Sequence, residues 1–433
     1  MTRSFRSAKN ASRSPSLTPR TLLLLFIFAL ALRVIYVCVA VDNTTIGTWL
    51  DAGPDISLHL LHGRGYVMSW DIAQNFRSFR TPAWPLTLYA LWKVFGYSLI
   101  IPKLFLAVLS ALSCVSIAVL GAHLYDERVG KWAGFLMAIC TTLIRWTGTL
   151  GMETLAVFSL VLGVTLICVP QTRLSTNWRY SLAGLVFGWL CLTRPIWMVY
   201  VALLILVLWF SQRQQRTGTA LLAAGVVFLV APWVARNAVV HHALVVASTD
   251  GGLAFMEANN PVSFRHQGGW IPGYAASLPE VQRRLPRMSE AEFNSWMMQK
   301  GIGYIRAEPL AFARVYLLRL GYLWRPSPPL QQAADLGHKH LLWLAAYWSL
   351  CFVLLATALI LLRPWRDGRQ WPLLLVLIWG SFSVPLFSSQ LRYRAPLEPA
   401  ILLYAAAGGV ALADKLKTSR RRADVPLASH KAS

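Results

Sequence analysis

The chain has 433 residues, of which 56% are apolar and only 14% are Asp, Glu, Lys or Arg. A soluble domain is roughly a quarter charged, so this composition needs a nonpolar solvent and excludes a free-standing soluble enzyme. The formal charge of +23 invites a nucleic-acid reading, but no basic helix, zinc pattern or base-stacking platform accompanies it.

Residues 1–20 are basic and Ser-rich, the composition of a disordered tail. The apolar run 21–40 is long enough for a bilayer core of about 30 Å. It carries Arg33 and no small-residue cleavage site, which marks a retained helix rather than a signal peptide. A first external segment, about 41–100, follows; its apolar run 83–97 is expected to be interfacial or re-entrant. Crossings are expected at 101–123, 129–147, 150–169, 180–195, 196–211 and 217–235. A second external segment, about 236–339, contains 309–324 as the alternative extra crossing. The last crossings are 340–362, 371–388 and 395–413, before a basic tail, 414–433.

This path comes from charge placement. Arg128 with Lys131, Arg173 with Arg179, Arg213 with Arg216, the 363–369 arginines and both tails sit beside apolar runs, and juxtamembrane Lys and Arg are retained on the cytoplasmic side. Both termini are then cytoplasmic, with about ten crossings. The expected fold is an all-α polytopic transmembrane bundle, because the runs lack the alternation of barrel strands.

No P-loop, zinc-protease motif or nucleophile elbow is present. The six cysteines, Cys38, Cys114, Cys140, Cys168, Cys191 and Cys351, sit in or beside apolar runs without pairing or metal-ligand spacing. The adjacent His241 and His242 cannot both face one metal from a regular helix. The path gathers the remaining polar residues on the outer face. These are Asp51, Asp55, Tyr66, Arg77, Arg80 and Trp84 from the first external segment, and Glu153 and Arg194 at helix ends. Arg236, Asn237, Glu257, Asn259 and Asn260 follow, then Arg392, Tyr393 and Arg394 in a short late loop.

The strings carrying these residues, DAGPDISLHLLHGRGY, RSFRTPAWPLTLYALWKVFG, GMETLAVF, LAGLVFGWLCLTRP, APWVARN with STDGGLAFMEANNP, and LRYRAPLEPA, resemble in order and sidedness the bacterial branch of the protein-mannosyltransferase and aminoarabinose-transferase family. That family lies within the GT-C class of membrane glycosyltransferases. The resemblance covers about 21–413 and implies sugar transfer from a polyprenyl-phosphate carrier to an acceptor on the extracytoplasmic side of the bacterial inner membrane. It also implies an acidic residue of the first external loop as base. Ungapped alignment from Gly63 places Trp49 and Leu50 where the family's acidic pair falls, so Asp51 or Asp55 is reached through a small shift; Asp55 competes with a helix-start reading.

The chemistry of the residue types agrees. An attacking hydroxyl must lose a proton to a nearby carboxylate, for which Asp51, Asp55 and Glu153 are candidates. A departing phosphate suits guanidinium groups, for which Arg77, Arg80, Arg194, Arg236, Arg392 and Arg394 are candidates. Tyr66, Trp84, Asn237, Asn259, Asn260 and Tyr393 are candidates for substrate contact. Each has a plainer alternative: interfacial anchoring for Trp and Tyr, snorkelling for Arg392 and Arg394, a structural ion pair for Glu153, and a turn for Asn259-Asn260-Pro261. No cofactor is required; a divalent ion on Asp51, Asp55 or Glu153 is compatible with the residues. A transporter or flippase of a lipid-linked sugar would show internal repeats, which are not apparent; a noncatalytic relative is the other alternative. The acceptor, whether lipid, glycan or protein, is not specified. Single cysteines at positions 70 and 265, in a background without native thiols, are expected to react with an impermeant reagent from outside, and one at position 367 is not; the reverse labelling pattern overturns the topology.

Overall fold

The computed structural model describes residues 17–44, 52–70, 73–170, 174–266, 269–327, 338–387 and 390–423. Asp51 and residues 1–16 and 424–433 of the basic tails lie outside the described residues. Helix α1 (Pro19–Ile35) starts with Thr18 capping the amide of Thr21 and continues as a π-helical turn, Tyr36–Ala40. Helix α2 (Gly53–Leu61), a short antiparallel hairpin of β1 (Met68–Trp70) and β2 (Ala73–Phe76), and α3 (Ala83–Phe95) make up the first long segment, 41–100.

The 13 residues of α3 extend only roughly 20 Å, short of a core of about 30 Å. It packs on α2 and leaves Leu86, Val94 and Phe95 exposed, as an interfacial helix does.

Next come α4 (Ile100–Leu124), α5 (Glu127–Ile139), α6 (Thr141–Arg145), α7 (Glu153–Cys168), α8 (Thr176–Thr193), α9 (Trp197–Ser211) and α10 (Arg216–His241). The second long segment, 236–339, holds α11 (Gly251–Ala258), α12 (Pro261–Arg265), α13 (Pro279–Arg284), α14 (Glu290–Ala307) and α15 (Pro309–Leu323). Helices α16 (His338–Leu362), α17 (Trp371–Phe387) and α18 (Glu398–Ala423) complete the bundle. Helix α18 runs past the expected end at 413, because Lys and Arg are good helix formers that carry it beyond the apolar run.

Among the described residues six helices are long and apolar enough to cross a membrane, and α7 and α9 are shorter apolar helices. The protein is a multi-pass membrane protein. The expected crossing 129–147 is not one straight helix: it breaks at Cys140, whose ψ of 103° is extended. The Ala138 carbonyl, freed by the break, and the Met137 carbonyl, which also takes the Cys140 amide at 3.4 Å, accept from the Arg33 guanidinium at 3.0 and 3.2 Å. Arg33 also donates to Ser110 Oγ at 2.7 Å and to the Ala29 carbonyl at 2.9 Å, so a buried cation in α1 completes the end of α5. In lipid, where water does not reach, unmet carbonyls and an unmet guanidinium are both costly, and each answers the other.

Small residues set the helix spacing. A methyl added at Gly184 of α8 would stand 2.3 Å from the Leu222 carbonyl oxygen of α10, and one at Gly408 of α18 would stand 2.0 Å from that of Leu354 in α16. Such positions let backbones approach where no hydrophobic force acts between helices. Gly184→Leu is therefore expected to cost about 1–3 kcal/mol by prising α8 from α10. Gly303→Ala, where nothing lies within 4 Å, is expected to leave the melting temperature in detergent unchanged or slightly raised. Equal melting of both variants and the parent would contradict this packing.

Candidate functional site

One end of the bundle collects the start of α4, the start of α7, the ends of α8 and α10, and the loop before α18. Lys103 of α4 donates to the Asp42 carbonyl at 2.9 Å and to Asn43 Oδ1 at 3.0 Å. The Trp84 indole donates to the Leu150 carbonyl at 2.7 Å, and Gly53 of α2 lies against the same ring. The first long segment is thereby clamped over the bundle end. The opposite end carries Arg128 with Asp414 at 2.7 Å, and Tyr125 with Gln370 at 2.9 Å.

At the collecting end, guanidinium groups surround Tyr393. The Arg194 and Arg392 guanidiniums each lie 5.0 Å from its ring centre, and Arg392 donates to its hydroxyl oxygen at 3.3 Å. Burial alone would push the Tyr393 phenol up, but the charges of Arg392, Arg194 and Arg80 outweigh it and hold the phenol below its ordinary value. Arg194 is fixed by an ion pair with Glu153 at 2.5 Å, the first residue of α7; both are buried. Arg80 is fixed by an ion pair with Asp250 and by the Tyr66 hydroxyl, which donates to its backbone carbonyl at 2.9 Å.

A second polar knot lies beside the first. Arg236 covers Tyr66 and Trp233, with its guanidinium 5.3 and 4.7 Å from their ring centres. It donates to Ser78 Oγ at 2.7 Å and Asn237 Oδ1 at 3.0 Å. His241 Nε2 lies 2.7 Å from Ser78 Oγ, whereas His242 ends α10 in the left-handed conformation, so the two imidazoles part. The Glu290 carboxylate accepts from the backbone amides of Arg77 at 2.7 Å and Ser78 at 2.9 Å, and from the Thr249 hydroxyl.

The structure thus brings together Tyr66, Arg80, Glu153, Arg194, Arg236, Asn237, Arg392 and Tyr393. It places other expected residues elsewhere, and engages some of these in structural contacts. Arg394 turns into the bundle, donating to Glu398 at 3.1 Å and the Arg325 carbonyl at 2.7 Å, with its guanidinium 4.3 Å from the Trp348 ring centre. Trp84 is 1% exposed and fills the seam between the first long segment and the bundle. Asn260 caps α12 at 2.9 Å, and Asn259 joins α11 to α17 through the Leu386 carbonyl at 2.9 Å; both are fully buried. Asn237 is buried, with its amide donating to the Val245 carbonyl at 3.1 Å. The Arg77 side chain is exposed, and what Glu290 holds is its amide. Asp55, half-buried, accepts from the Ser69 amide at 2.8 Å with His59 3.8 Å away, and so ties α2 to β1. Glu153, expected among the carboxylate bases, is engaged by Arg194.

Asp250, Glu290, Arg319 and Glu398 are absent from the sequence expectations. Arg319 of α15 holds Asn259 Oδ1 and Ser263 Oγ, each at 3.1 Å. Asp250 lies in the quoted string STDGG, and Glu290 follows the capping-box residue Ser289; both signals mark helix starts and neither marks a site. Among the described residues no three His, Cys, Asp or Glu side chains gather into a metal-sized group.

No family model matches the sequence, and no curated protein matches it. Among solved structures, the oligosaccharyltransferase AglB of Archaeoglobus fulgidus, in complex with an inhibitory peptide and a dolichol-phosphate, is similar with a TM-score of 0.52 at 14% identity, over 95% of this chain and 52% of its own. Its apo form gives 0.51 at 14% identity, over 95% and 53%. ArnT from Cupriavidus metallidurans bound to undecaprenyl phosphate gives 0.43 at 14% identity, over 91% and 79%. The fold is of the GT-C type. The chain spans about half the length of AglB, and at this identity the likeness is one of fold.

The Arg394–Glu398 pair offers a test of its scaffold placement. Removing one partner leaves a buried uncompensated charge, so Arg394→Met or Glu398→Met alone is expected to cost about 3–5 kcal/mol, and the double variant much less. Additive losses in thermal melts would contradict the pairing.

Proposed function

We propose that the chain transfers a glycosyl group from a polyprenyl-phosphate-linked sugar to an acceptor on the extracytoplasmic side of the bacterial inner membrane, with both termini in the cytoplasm. The observation that carries this reading is the convergence of Arg80, Arg194 and Arg392 on Tyr393 at one end of an apolar bundle. A membrane-embedded, cation-lined rim suits a phosphate whose tail stays in lipid. The shared fold with AglB, solved with a dolichol-phosphate, supports the same donor class.

In this reading the acceptor hydroxyl attacks the anomeric carbon and gives its proton to the carboxylate of Asp51 or Asp55. The bond from that carbon to the lipid phosphate breaks, and the bonding pair leaves on the phosphate oxygen. Arg80, Arg194 and Arg392 stabilise the charge accumulating there, and their fixed orientation means little reorganisation is needed as it develops. Glu153 and Asp250 act through their arginines as positioning residues. The Tyr393 hydroxyl, which accepts from Arg392, has its own proton to donate to a phosphate oxygen. Arg236 and Tyr66 form the neighbouring wall, where a sugar ring meets aromatic and cationic surface.

Binding of a long-chain polyprenyl monophosphate to the purified protein tests the site. Charge-assisted hydrogen bonds contribute about 1.5–3 kcal/mol, so Arg80→Ala, Arg194→Ala and Arg392→Ala are each expected to weaken binding by about tenfold or more. Asp51→Asn or Asp55→Asn is expected to abolish transfer, scored by mass spectrometry of envelope glycans and lipids, while binding persists. Parental binding in all three arginine variants would remove the assignment, and unchanged transfer in both aspartate variants would remove the base.

A further inference from the structure

We propose that Glu290 is a positioning residue for the phosphate site: one buried carboxylate holds both halves of the Arg80–Asp250 pair. This rests on the reading that Arg80 meets the donor phosphate.

The stretch 77–80 belongs to no helix or strand, so its backbone amides have no ladder partners. Those of Arg77 and Ser78 donate to the two oxygens of Glu290, at 2.7 and 2.9 Å, across 213 and 212 residues of sequence. Arg80 is two residues further on. The same carboxylate accepts from the Thr249 hydroxyl, and Thr249 precedes Asp250, the partner of Arg80. The Thr249 amide in turn donates to the Ser78 carbonyl at 2.9 Å. Arginine and aspartate therefore hang from one anchor on either side, and their mutual orientation follows from it. Through Ser78 Oγ, which accepts from Arg236 at 2.7 Å, the anchor also sets the second knot.

Among the described residues no Lys or Arg side chain forms an ion pair with Glu290; His241 Nε2 lies 3.8 Å away. Its side chain is 7% exposed. A carboxylate so far from water is costly unless hydrogen bonds replace hydration, and here they come from the backbone that presents Arg80. Its place as the first residue of α14 adds the favourable end of a helix dipole. A residue needed only to fold the second long segment would serve without addressing this particular loop.

The test measures binding of a long-chain polyprenyl monophosphate and of the corresponding neutral polyprenol to the purified full-length protein. Glu290→Gln, which keeps the volume and one acceptor oxygen, is expected to weaken monophosphate binding about tenfold and leave polyprenol binding unchanged. Thr249→Val, a milder loss of one tether, is expected to weaken the monophosphate about threefold. Combined with Arg80→Ala, Glu290→Gln should add nothing further, because the anchor acts through the residue already removed. Equal weakening of both lipids, or additivity with Arg80→Ala, would overturn the proposal and reduce Glu290 to a fold-stabilising group. Parental monophosphate binding by Arg80→Ala alone would overturn the phosphate-site reading on which it rests, which keeps the two failures apart.

Discussion

Charge removed from water has to be met by opposite charge or by oriented dipoles, and in this bundle that requirement decides what each arginine does. Arg33 is met by carbonyls at a helix break, Arg319 by carbonyls and side-chain oxygens, and Arg394 by Glu398. These are scaffold cations, each fully enclosed. Arg80 and Arg194 are also paired, but their pairs lie side by side at the rim with Arg392, around one phenol. Pairing fixes a guanidinium in place while leaving it further N–H donors, which is the state a phosphate site requires.

The two long segments hold Arg80 in place, through Asp250 and Tyr66. Among the described residues the only sheet is the small β1–β2 hairpin, and the apolar cluster of Ile56, Met68, Phe79, Met256, Phe293 and Met297 draws on both segments. Polar ties across more than 150 residues, from Ser78 to Asn237 and from Arg77 to Glu290, make the two segments one cover. The helices beneath pack closely through Gly184 and Gly408, and Arg194 and Arg392 come from this bundle rather than from the cover.

Much of this was legible in the residues alone. Clusters of Lys and Arg beside apolar runs carry sidedness because lipid headgroups and the membrane's insertion bias act on them directly. Once the path is drawn, Tyr66, Arg80, Arg194, Arg236 and Tyr393 are bound to share a face. Direction within a loop is not legible. Arg392 and Arg394 have the same side chain two positions apart, yet one meets Tyr393 and the other Glu398, a choice made by packing against α16. Asn259 and Asn260 look like ligand amides in isolation, and only the neighbouring Arg319 and helix α12 show them to be engaged. Glu290 has a local signature of helix start and nothing that points 213 residues back to Arg77. Long-range pairing lives in the tertiary structure.

The grip of Arg33 on the broken end of α5 bears on how the protein is made. The acceptors at Met137 and Ala138 lie 104 and 105 residues downstream, so at ribosomal speeds the first helix waits roughly 5 to 20 seconds before its cation finds them. During that interval the guanidinium must stay hydrated, held by headgroups or by the insertion machinery. The contacts of Arg33 are therefore complete only when the third expected crossing, 129–147, has arrived.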